Sequence, residues 1–307
     1  MDLSVRFAGL ELKNPVLTAS GTFGFGLEFS GFGNLAALGG IVAKGLSLKP
    51  REGNPMPRIA ETPCGMLNAI GIQNPGAEVF VSKILPAMPW KETAVVANLY
   101  ACGPDEFGEL AGVLAAEEGI AALEVNVSCP NVSQGGSLFG ADPRQIALVT
   151  EAVKKRAGSK PVWVKLSPNV TDIAVCARAA EQGGADALSL INTLTGMAVD
   201  ARTRRPRLAN VVGGLSGPAV KPVALRCVHQ AVQAVGIPVV GIGGITCAED
   251  VLEFILVGAH AVQVGTANFL RPDFAFRLVD ELAALVEQWG ISSWEEYRGS
   301  LEIPGKN

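Results

Sequence analysis

Short apolar segments alternate with amphipathic segments of helical length along the 307-residue chain. The apolar segments are continuously hydrophobic and rich in Val, Ile and Leu, which is typical of a parallel sheet covered by helices. We predict eight strands from them, at residues 15–20, 40–45, 94–99, 122–128, 161–166, 187–192, 238–243 and 261–265. Helical patterns lie between them at residues 105–118, 142–156, 172–182, 218–235, 248–257 and 273–289.

Eight strands with intervening helices predict an α/β fold, a (β/α)₈ TIM barrel that occupies residues 1–307 as a single domain. An open doubly wound sheet is the structural alternative, but the rhythm continues evenly to the eighth strand. Three connections from strand to helix are long, at residues 47–75, 130–141 and 193–216. Such loops build the active face of a barrel, at the C-terminal ends of its strands.

Composition narrows the class of protein. The hydrophobic fraction is 49% and the charged fraction only 18%, which excludes a disordered chain. The net charge is −4 and no segment gathers five or six like charges, so we expect no nucleic-acid partner. Gly is abundant, at 36 residues without a three-residue period. Several of these glycines lie at strand ends, but Gly24, Gly26, Gly31 and Gly33 have no evident role in the sequence.

Targeting signals and metal ligands are sparse. The N-terminal residues lack a basic segment followed by a long apolar one, and the longest uncharged span contains Pro and Gly, so we expect a cytoplasmic protein with no membrane segment. The six cysteines form no C-x-x-C pair and there are only two histidines. This inventory argues against a zinc site, and against an iron–sulfur cluster held by this chain alone.

The seventh and eighth strands both end in glycine. Gly243 and Gly244 follow the seventh strand, and Gly265 and Thr266 follow the eighth. Glycines let backbone N–H groups approach an anion, and barrels frequently bind phosphate with these two loops. Tight turns without a ligand are the alternative for either loop, but two such ends in adjacent strands favour a phosphate site.

The fourth strand ends in a cysteine among polar side chains. Asn126, Ser128 and Asn131 surround Cys129 in the sequence, and Pro130 follows at once. A thiol at a strand end can act as a general base if its proton can leave. A buried structural cysteine is the alternative, and no histidine neighbours Cys129 to activate it as a nucleophile.

Two lysines close apolar strands, Lys44 and Lys165. A buried Lys is unfavourable unless it meets an anion, so the pair suits an anionic substrate or the anionic form of a reduced flavin. Solvent-exposed lysines and a catalytic Schiff-base lysine are the alternatives.

Asparagines gather at the same ends. Asn98 ends the third strand, Asn192 and Thr193 end the sixth, and Asn68 lies in the first long loop. An Asn side chain offers both a donor and an acceptor, as a planar heterocycle with C=O and N–H groups requires. Each one alone is more typical of a turn or a cap.

Taken together, these motifs resemble the dihydroorotate dehydrogenase family. The likeness spans essentially the whole chain in the same order, in the segment 126–132 (NVSCPNV), the loop 66–75, Lys44-Gly45, the segment 213–218 (GGLSGP) and the two glycine ends. The resemblance implies an FMN-containing barrel that oxidises dihydroorotate to orotate in pyrimidine synthesis. It also implies that Cys129 is the base, because soluble members use Cys where membrane-associated members use Ser.

The resemblance further implies roles for individual residues. Cys129 would remove the C5 proton of dihydroorotate while hydride leaves C6 for N5 of FMN, and activity would rise toward alkaline pH because a free thiol has a pKa of about 8.5. Substrate contacts are expected from Lys44, Asn68, Ala69, Ile70, Gly71, Ile72, Asn126, Asn131, Asn192 and Thr193. Flavin contacts are expected from Ser20, Lys44, Gly45, Asn98, Asn126, Lys165, Ile191, Gly217, Gly243, Gly244, Gly265 and Thr266, with Lys165 near the N1–O2 edge and the last four around the phosphate.

Several segments resemble the NAD-linked two-subunit class of this family. They are residues 127–132 and 216–222, with Gly135-Gly136 and Phe139-Gly140. That class implies FMN as the only cofactor of this chain. FAD and an iron–sulfur cluster are expected on a partner subunit that passes electrons to NAD⁺, around a homodimer of catalytic subunits within a heterotetramer. Three alternatives remain: another FMN oxidoreductase acting on a dihydropyrimidine, a lyase that forms a Schiff base through Lys165, and a non-catalytic barrel that only binds a partner.

Overall fold

A computed structural model describes residues 2–128 and 139–305 of the chain. Eight parallel strands close into a barrel, each pairing with the next one along the chain and the last with the first. Their bounds are Val16–Thr18 (β1), Gly40–Val42 (β2), Ala94–Leu99 (β3), Ala122–Asn126 (β4), Val162–Leu166 (β5), Ala187–Leu190 (β6), Val239–Ile242 (β7) and Ala261–Val264 (β8). The predicted TIM barrel is confirmed, and most strands are one to three residues shorter than predicted.

Six long helices cover the outside of the barrel. Their bounds are Pro104–Ala115 (α1), Pro143–Lys154 (α2), Ile173–Gln182 (α3), Lys221–Ala234 (α4), Ala248–Leu256 (α5) and Phe274–Gln288 (α6). Asp142 and Asp172 cap α2 and α3 through side-chain bonds to backbone N–H groups, so each helix begins one residue after the predicted start.

Short helical turns replace long helices elsewhere in the described chain. They lie at Leu27–Phe29, Leu35–Ala37, Ala77–Val79, Phe80–Ile84, Leu85–Ala87, Phe139–Ala141, Pro218–Val220, Ala267–Leu270 and Trp294–Tyr297. The predicted helix at 218–235 is therefore two elements, because a 3₁₀ turn at Pro218–Val220 precedes α4.

Two of the long connections fold into an antiparallel sheet over the C-terminal mouth of the barrel, which we call the mouth sheet. Its strands, in spatial order, are Leu194–Met197, Val212–Ser216, Gly65–Asn68 and Ile59–Thr62. A two-stranded ribbon of Val199–Asp200 and Arg205–Pro206 extends from the same region of the chain. The sequence indicated only long loops here. The remaining long connection is the one predicted at residues 130–141. Most of it lies in the segment Cys129 to Leu138, which is outside the described residues.

The opposite end of the barrel is covered by a hairpin of Val5–Phe7 and Leu10–Leu12. Phe7 reaches the strands from below, with its ring 5.1 Å from that of Trp163 on β5. Trp163 is fully buried, as are nearly all apolar side chains of the eight strands. The barrel is thus closed at one end by packing and remains open at the other end, where the strand C-termini meet the mouth sheet.

Candidate active site

A cavity of about 580 Å³ lies between the C-terminal ends of the strands and the mouth sheet. Every candidate residue within residues 2–128 and 139–305 lines it, namely Ser20, Lys44, Gly45, Asn68, Ala69, Ile70, Gly71, Ile72, Asn98, Asn126, Lys165, Ile191, Asn192, Thr193, Gly217, Gly243, Gly244, Gly265 and Thr266. Cys129 and Asn131 lie outside the described residues. In the sequence they follow Ser128 by one and three residues, and Ser128 lines the cavity. The placement brings the candidates together, and their individual roles stay predictions.

Two lysines face this cavity from different parts of the barrel. Lys165 lies next to the last residue of β5 and is only 5% exposed, while Lys44 follows β2 and is part-buried. Burial lowers the pKa of Lys44 from its usual value, and the positive charges of Arg58 and Lys165 lower it further. The surroundings thus disfavour the charged form of Lys44. An anionic ligand would stabilise that form, because it would supply the missing negative charge.

The asparagines at the strand ends hold one another in fixed orientations. Asn192 donates through Nδ2 to Oδ1 of Asn126 at 3.2 Å, and the same oxygen accepts from the backbone N–H of Ser128 at 3.2 Å. Oδ1 of Asn192 accepts from the backbone N–H of Thr193 at 2.8 Å. Both amides are therefore oriented before any ligand binds, which suits recognition of a planar ring by hydrogen bonds.

The mouth sheet holds the loop Ala69 to Ile72 against the cavity. Ala69 donates its backbone N–H to the carbonyl of Arg58 at 2.8 Å. Asn54 binds the loop twice, from its side chain to the carbonyl of Ala69 at 3.0 Å and from its backbone N–H to the carbonyl of Ile70 at 2.9 Å. The predicted substrate loop is thus fixed by hydrogen bonds with Asn54 and Arg58, which belong to the same long connection.

Glycine is required in the loop after β7. Gly243 and Gly244 have φ values of +129° and +77°, which side chains rarely adopt. A Cβ on Gly244 would lie 2.8 Å from the backbone nitrogen of Lys221, so the loop packs directly on the start of α4. At the neighbouring strand end, Thr266 donates its hydroxyl to Ser216 Oγ at 2.8 Å. The two loops form a small, backbone-rich corner that suits an anion such as a phosphate.

Three polar residues that were not predicted also belong to the site. Asn169 lines the cavity and bonds the carbonyl of Thr193 at 2.9 Å, and Asn54 holds the loop described above. Glu124 lies on β4, is fully buried, and bonds Asn98 at 2.7 Å. Glu124 could have been found from the sequence, because an acidic residue within the apolar segment 122–125 is unusual. No sequence pattern marks Asn54 or Asn169 as part of the site.

FMN can be tested against these residues. Oδ1 of Asn98 is buried and has no hydrogen-bond partner among the described residues, although its Nδ2 is bonded to Glu124. This oxygen lies beside Gly45, where an added Cβ would come within 3.0 Å of it. An unpaired acceptor, two cations and a glycine-lined corner fit a ring with N–H groups and an attached phosphate. The residues present fit FMN.

Among residues 2–128 and 139–305, no helix is both long and apolar enough to span a bilayer.

Comparison with known proteins identifies the family. The family model of dihydroorotate dehydrogenase matches residues 2–286. Two relatives are each described as "Dihydroorotate dehydrogenase B (NAD(+)), catalytic subunit". The one from Maridesulfovibrio salexigens is 72% identical over 304 residues, covering 99% of this chain and 100% of its own length. The one from Solidesulfovibrio magneticus is 69% identical over 303 residues, covering 99% of both.

A crystal structure of DHODH from Eimeria tenella, in complex with ferulenol, has the same fold. Its TM-score is 0.79 at 22% identity, and the match covers 97% of this chain and 88% of that one. At this identity the likeness concerns the fold alone. The family match spans nearly the whole chain and the relatives share most of their residues with it, so this chain belongs to the dihydroorotate dehydrogenase family.

Proposed function

We propose that this chain is the FMN-binding catalytic subunit of an NAD-linked dihydroorotate dehydrogenase, which oxidises (S)-dihydroorotate to orotate in pyrimidine synthesis. The observation that carries the proposal is the cavity in which the buried Lys165, the part-buried Lys44 and oriented asparagine amides face the same space. Relatives that cover the full chain bear the same activity in their names, which supports it.

Substrate would be held by its charge and its ring. Lys44 would attract the carboxylate, with the pyrimidine held by Asn68, Asn126, Asn192, Thr193 and, beyond the described residues, Asn131. Backbone groups from Ala69 to Ile72 would cover the ring from the mouth sheet, since this loop is already fixed by Asn54 and Arg58. Orientation of this kind contributes to catalysis because it aligns the reacting bonds in advance.

Cys129 would act as the base. Its thiolate would take the proton from C5 as the C5=C6 double bond of orotate forms. When bound, FMN would supply the electron acceptor, taking the hydride from C6 at its N5. Lys165 would stabilise the negative charge of the reduced ring, and the glycine corner of Gly243, Gly244, Gly265 and Thr266 would hold the phosphate. Ser20, Gly45, Asn98, Ile191 and Gly217 would complete the flavin contacts.

Electrons would leave through a partner. The relatives are named as catalytic subunits, which supports a second subunit here too. We propose that it carries FAD and an iron–sulfur cluster and reduces NAD⁺, that two catalytic subunits form a homodimer within a heterotetramer, and that the assembly is cytoplasmic. The isolated chain would then reduce NAD⁺ poorly. Efficient NAD⁺ reduction without a partner would refute the two-subunit arrangement.

Anaerobic flavin reduction tests the function directly. Dihydroorotate should bleach the FMN of the purified chain, and dihydrouracil should not. Cys129→Ala should slow the bleaching by orders of magnitude while FMN stays bound, and Cys64→Ala, at an exposed cysteine outside the cavity, should leave the rate unchanged. Near-normal bleaching in Cys129→Ala would discard Cys129 as the base. A colourless chain that takes up no FMN would overturn the proposal.

The lyase alternative has its own test. A Schiff-base lysine must be a neutral amine that a carbonyl can reach, whereas Lys165 is almost fully buried with its Nζ 3.6 Å from Glu124 Oε1. Borohydride trapping of a carbonyl substrate on Lys165 would favour the lyase over the dehydrogenase.

A further inference from the structure

A buried carboxylate lies inside the barrel beneath the cavity. Glu124 projects from β4, is 0% exposed, and does not line the cavity itself. A buried carboxylate is unfavourable unless donors and a cation surround it. The surroundings of Glu124 therefore decide what it does.

Three hydrogen-bond donors and one cation, from four other strands, meet this carboxylate. Its Oε1 accepts from Asn98 Nδ2 on β3 at 2.7 Å and lies 3.6 Å from Lys165 Nζ on β5. Its Oε2 accepts from Gln263 Nε2 on β8 at 2.6 Å and from Ser189 Oγ on β6 at 2.9 Å. The two oxygens of the carboxylate thus contact different sets of residues. Oε2 is anchored to the barrel, and Oε1 meets the two residues that line the cavity.

The contact with Asn98 fixes which end of its amide faces the ligand. Because a carboxylate only accepts hydrogen bonds, Asn98 must turn its Nδ2 toward Glu124. Its Oδ1 is then left beside Gly45, buried and without a partner among the described residues. Glu124 thereby makes Asn98 an acceptor toward the cavity, and a neutral amide at position 124 would lose this control.

The contact with Lys165 sets the charge that the cavity meets. Within the described chain, Glu124 is the acidic residue paired with this lysine, and both side chains are nearly inaccessible to water. Charges at this distance in a poorly solvated interior interact strongly. The carboxylate fixes the position of the ammonium group and offsets part of its field.

We propose that Glu124 is a positioning residue that sets the hydrogen-bond and charge pattern of the flavin edge, through Asn98 and Lys165. The inference rests on the proposed function, since it takes FMN to be the ligand of this cavity. Replacement of the carboxylate would leave the positive charge of Lys165 without its negative partner. The negatively charged reduced flavin would then bind more tightly relative to the oxidised form.

The midpoint potential of bound FMN is the measurement that separates positioning from simple structural support. A variant that only loosens the cavity weakens both redox forms alike and leaves the potential where it was. For Glu124→Gln in the full chain loaded with FMN, we expect the affinity ratio of reduced to oxidised flavin to rise about tenfold, an upward shift of about 30 mV for a two-electron couple. Ser189→Ala is the matched control, because it removes one anchor of Oε2 and leaves both contacts of Oε1; its potential should stay at the wild-type value.

A second pair of variants covers the case in which Glu124→Gln does not fold. Lys165→Met leaves the carboxylate without its cation, and Lys165→Met with Glu124→Gln removes both charges, which a protein interior tolerates better. The double variant should have the higher potential of the two. An unchanged or lowered potential in a folded Glu124→Gln chain, or equal potentials in this second pair, would overturn the role of Glu124. A wild-type chain that binds no FMN would instead contradict the proposed function.

Discussion

Asn192 Nδ2 and Asn126 Oδ1 are hydrogen-bonded at 3.2 Å, which joins the end of β4 to the residues that follow β6. Since Asn192 Oδ1 is also occupied by the N–H of Thr193, neither amide can rotate without losing a bond. The pair therefore presents its remaining N–H groups in one arrangement. This arrangement supports binding of a ring that carries carbonyl oxygens.

Asn192→Ala should weaken substrate binding and leave FMN in place. The variant removes one predicted contact with the ring and one of the two hydrogen bonds that orient Asn126, and loss of a hydrogen-bond partner inside the ligand-filled site costs about 1–3 kcal/mol. We expect the dissociation constant of orotate to rise at least about tenfold, measured by titration of the flavin absorbance. An unchanged constant with full FMN content would exclude Asn192 from the substrate site.

Lys44 should couple anion binding to proton uptake. Its pKa is lowered by burial, by Arg58 and by Lys165, so at a given alkaline pH more of the population is neutral in the free protein than for a freely solvated lysine. A bound carboxylate raises this pKa again, so orotate binding takes up protons and weakens as the pH rises. Calorimetric titration at a series of alkaline pH values, in buffers of different ionisation enthalpy, measures the uptake. Equal uptake by Lys44→Met would assign the proton to another group.

The barrel and most of the cavity lining were predictable because their signals are local. Each strand is a continuous apolar segment, and in a barrel all C-terminal strand ends meet at one face, so Lys44, Asn98 and Lys165 had to converge there once eight strands were counted. The starts of α2 and α3 were off by one residue because an N-cap Asp belongs to the helical pattern but not to the helix.

The mouth sheet and the Glu124 contacts could not be predicted in the same way. Gly213 and Gly214 interrupt the strand Val212–Ser216, and its partner Gly65–Asn68 lies far away along the chain, so no period-2 pattern marks the pair. The three hydrogen-bond donors and the lysine around Glu124 come from four strands, β3, β5, β6 and β8, that only the closed barrel brings around one side chain. Gly33 is similar. It packs against the ring of Phe276, with no room for a Cβ, and nothing in its own neighbourhood of sequence shows that contact.

Gly244 and Gly265, two glycines of the predicted phosphate site, should respond differently to alanine. At Gly265 the nearest atom to an added Cβ is 3.6 Å away, an ordinary contact, whereas at Gly244 the new atom would meet the backbone of Lys221 at a φ of +77°. Gly265→Ala should therefore fold with a wild-type melting temperature and bind FMN at least about tenfold more weakly, because the methyl group stands in the predicted phosphate site. Gly244→Ala should lower the melting temperature itself.

The readouts for this pair are FMN affinity and thermal unfolding of the chain without FMN. Full FMN affinity in a folded Gly265→Ala variant would remove this strand end from the phosphate site. An unchanged melting temperature for Gly244→Ala would contradict the close packing of the β7 loop on the start of α4.

His260 should make the fold acid-sensitive. It lies just before β8, its Nδ1 is buried without a hydrogen-bond partner in the described part of the chain, and its ring packs near Phe7 with 6.3 Å between centroids. Burial, together with the positive charge of Arg298, lowers its pKa from 6.5 to about 4. Below pH 6.5 the unfolded chain therefore binds a proton that the folded chain does not. Stability from this residue is complete above pH 6.5 and is lost as the pH falls toward 4.

His260→Gln removes this titration while keeping a polar side chain. Between pH 7 and pH 4 the wild-type chain should lose about 3 kcal/mol more unfolding free energy than the variant, since each pKa unit corresponds to about 1.4 kcal/mol. Urea unfolding at both pH values gives the two differences, and the comparison at pH 7 isolates the packing change of the substitution, because His260 is neutral there in the folded and mostly neutral in the unfolded chain. If both chains lose the same free energy on acidification, the acid sensitivity belongs to other groups, and the base of the barrel beside Phe7 admits a charged imidazole.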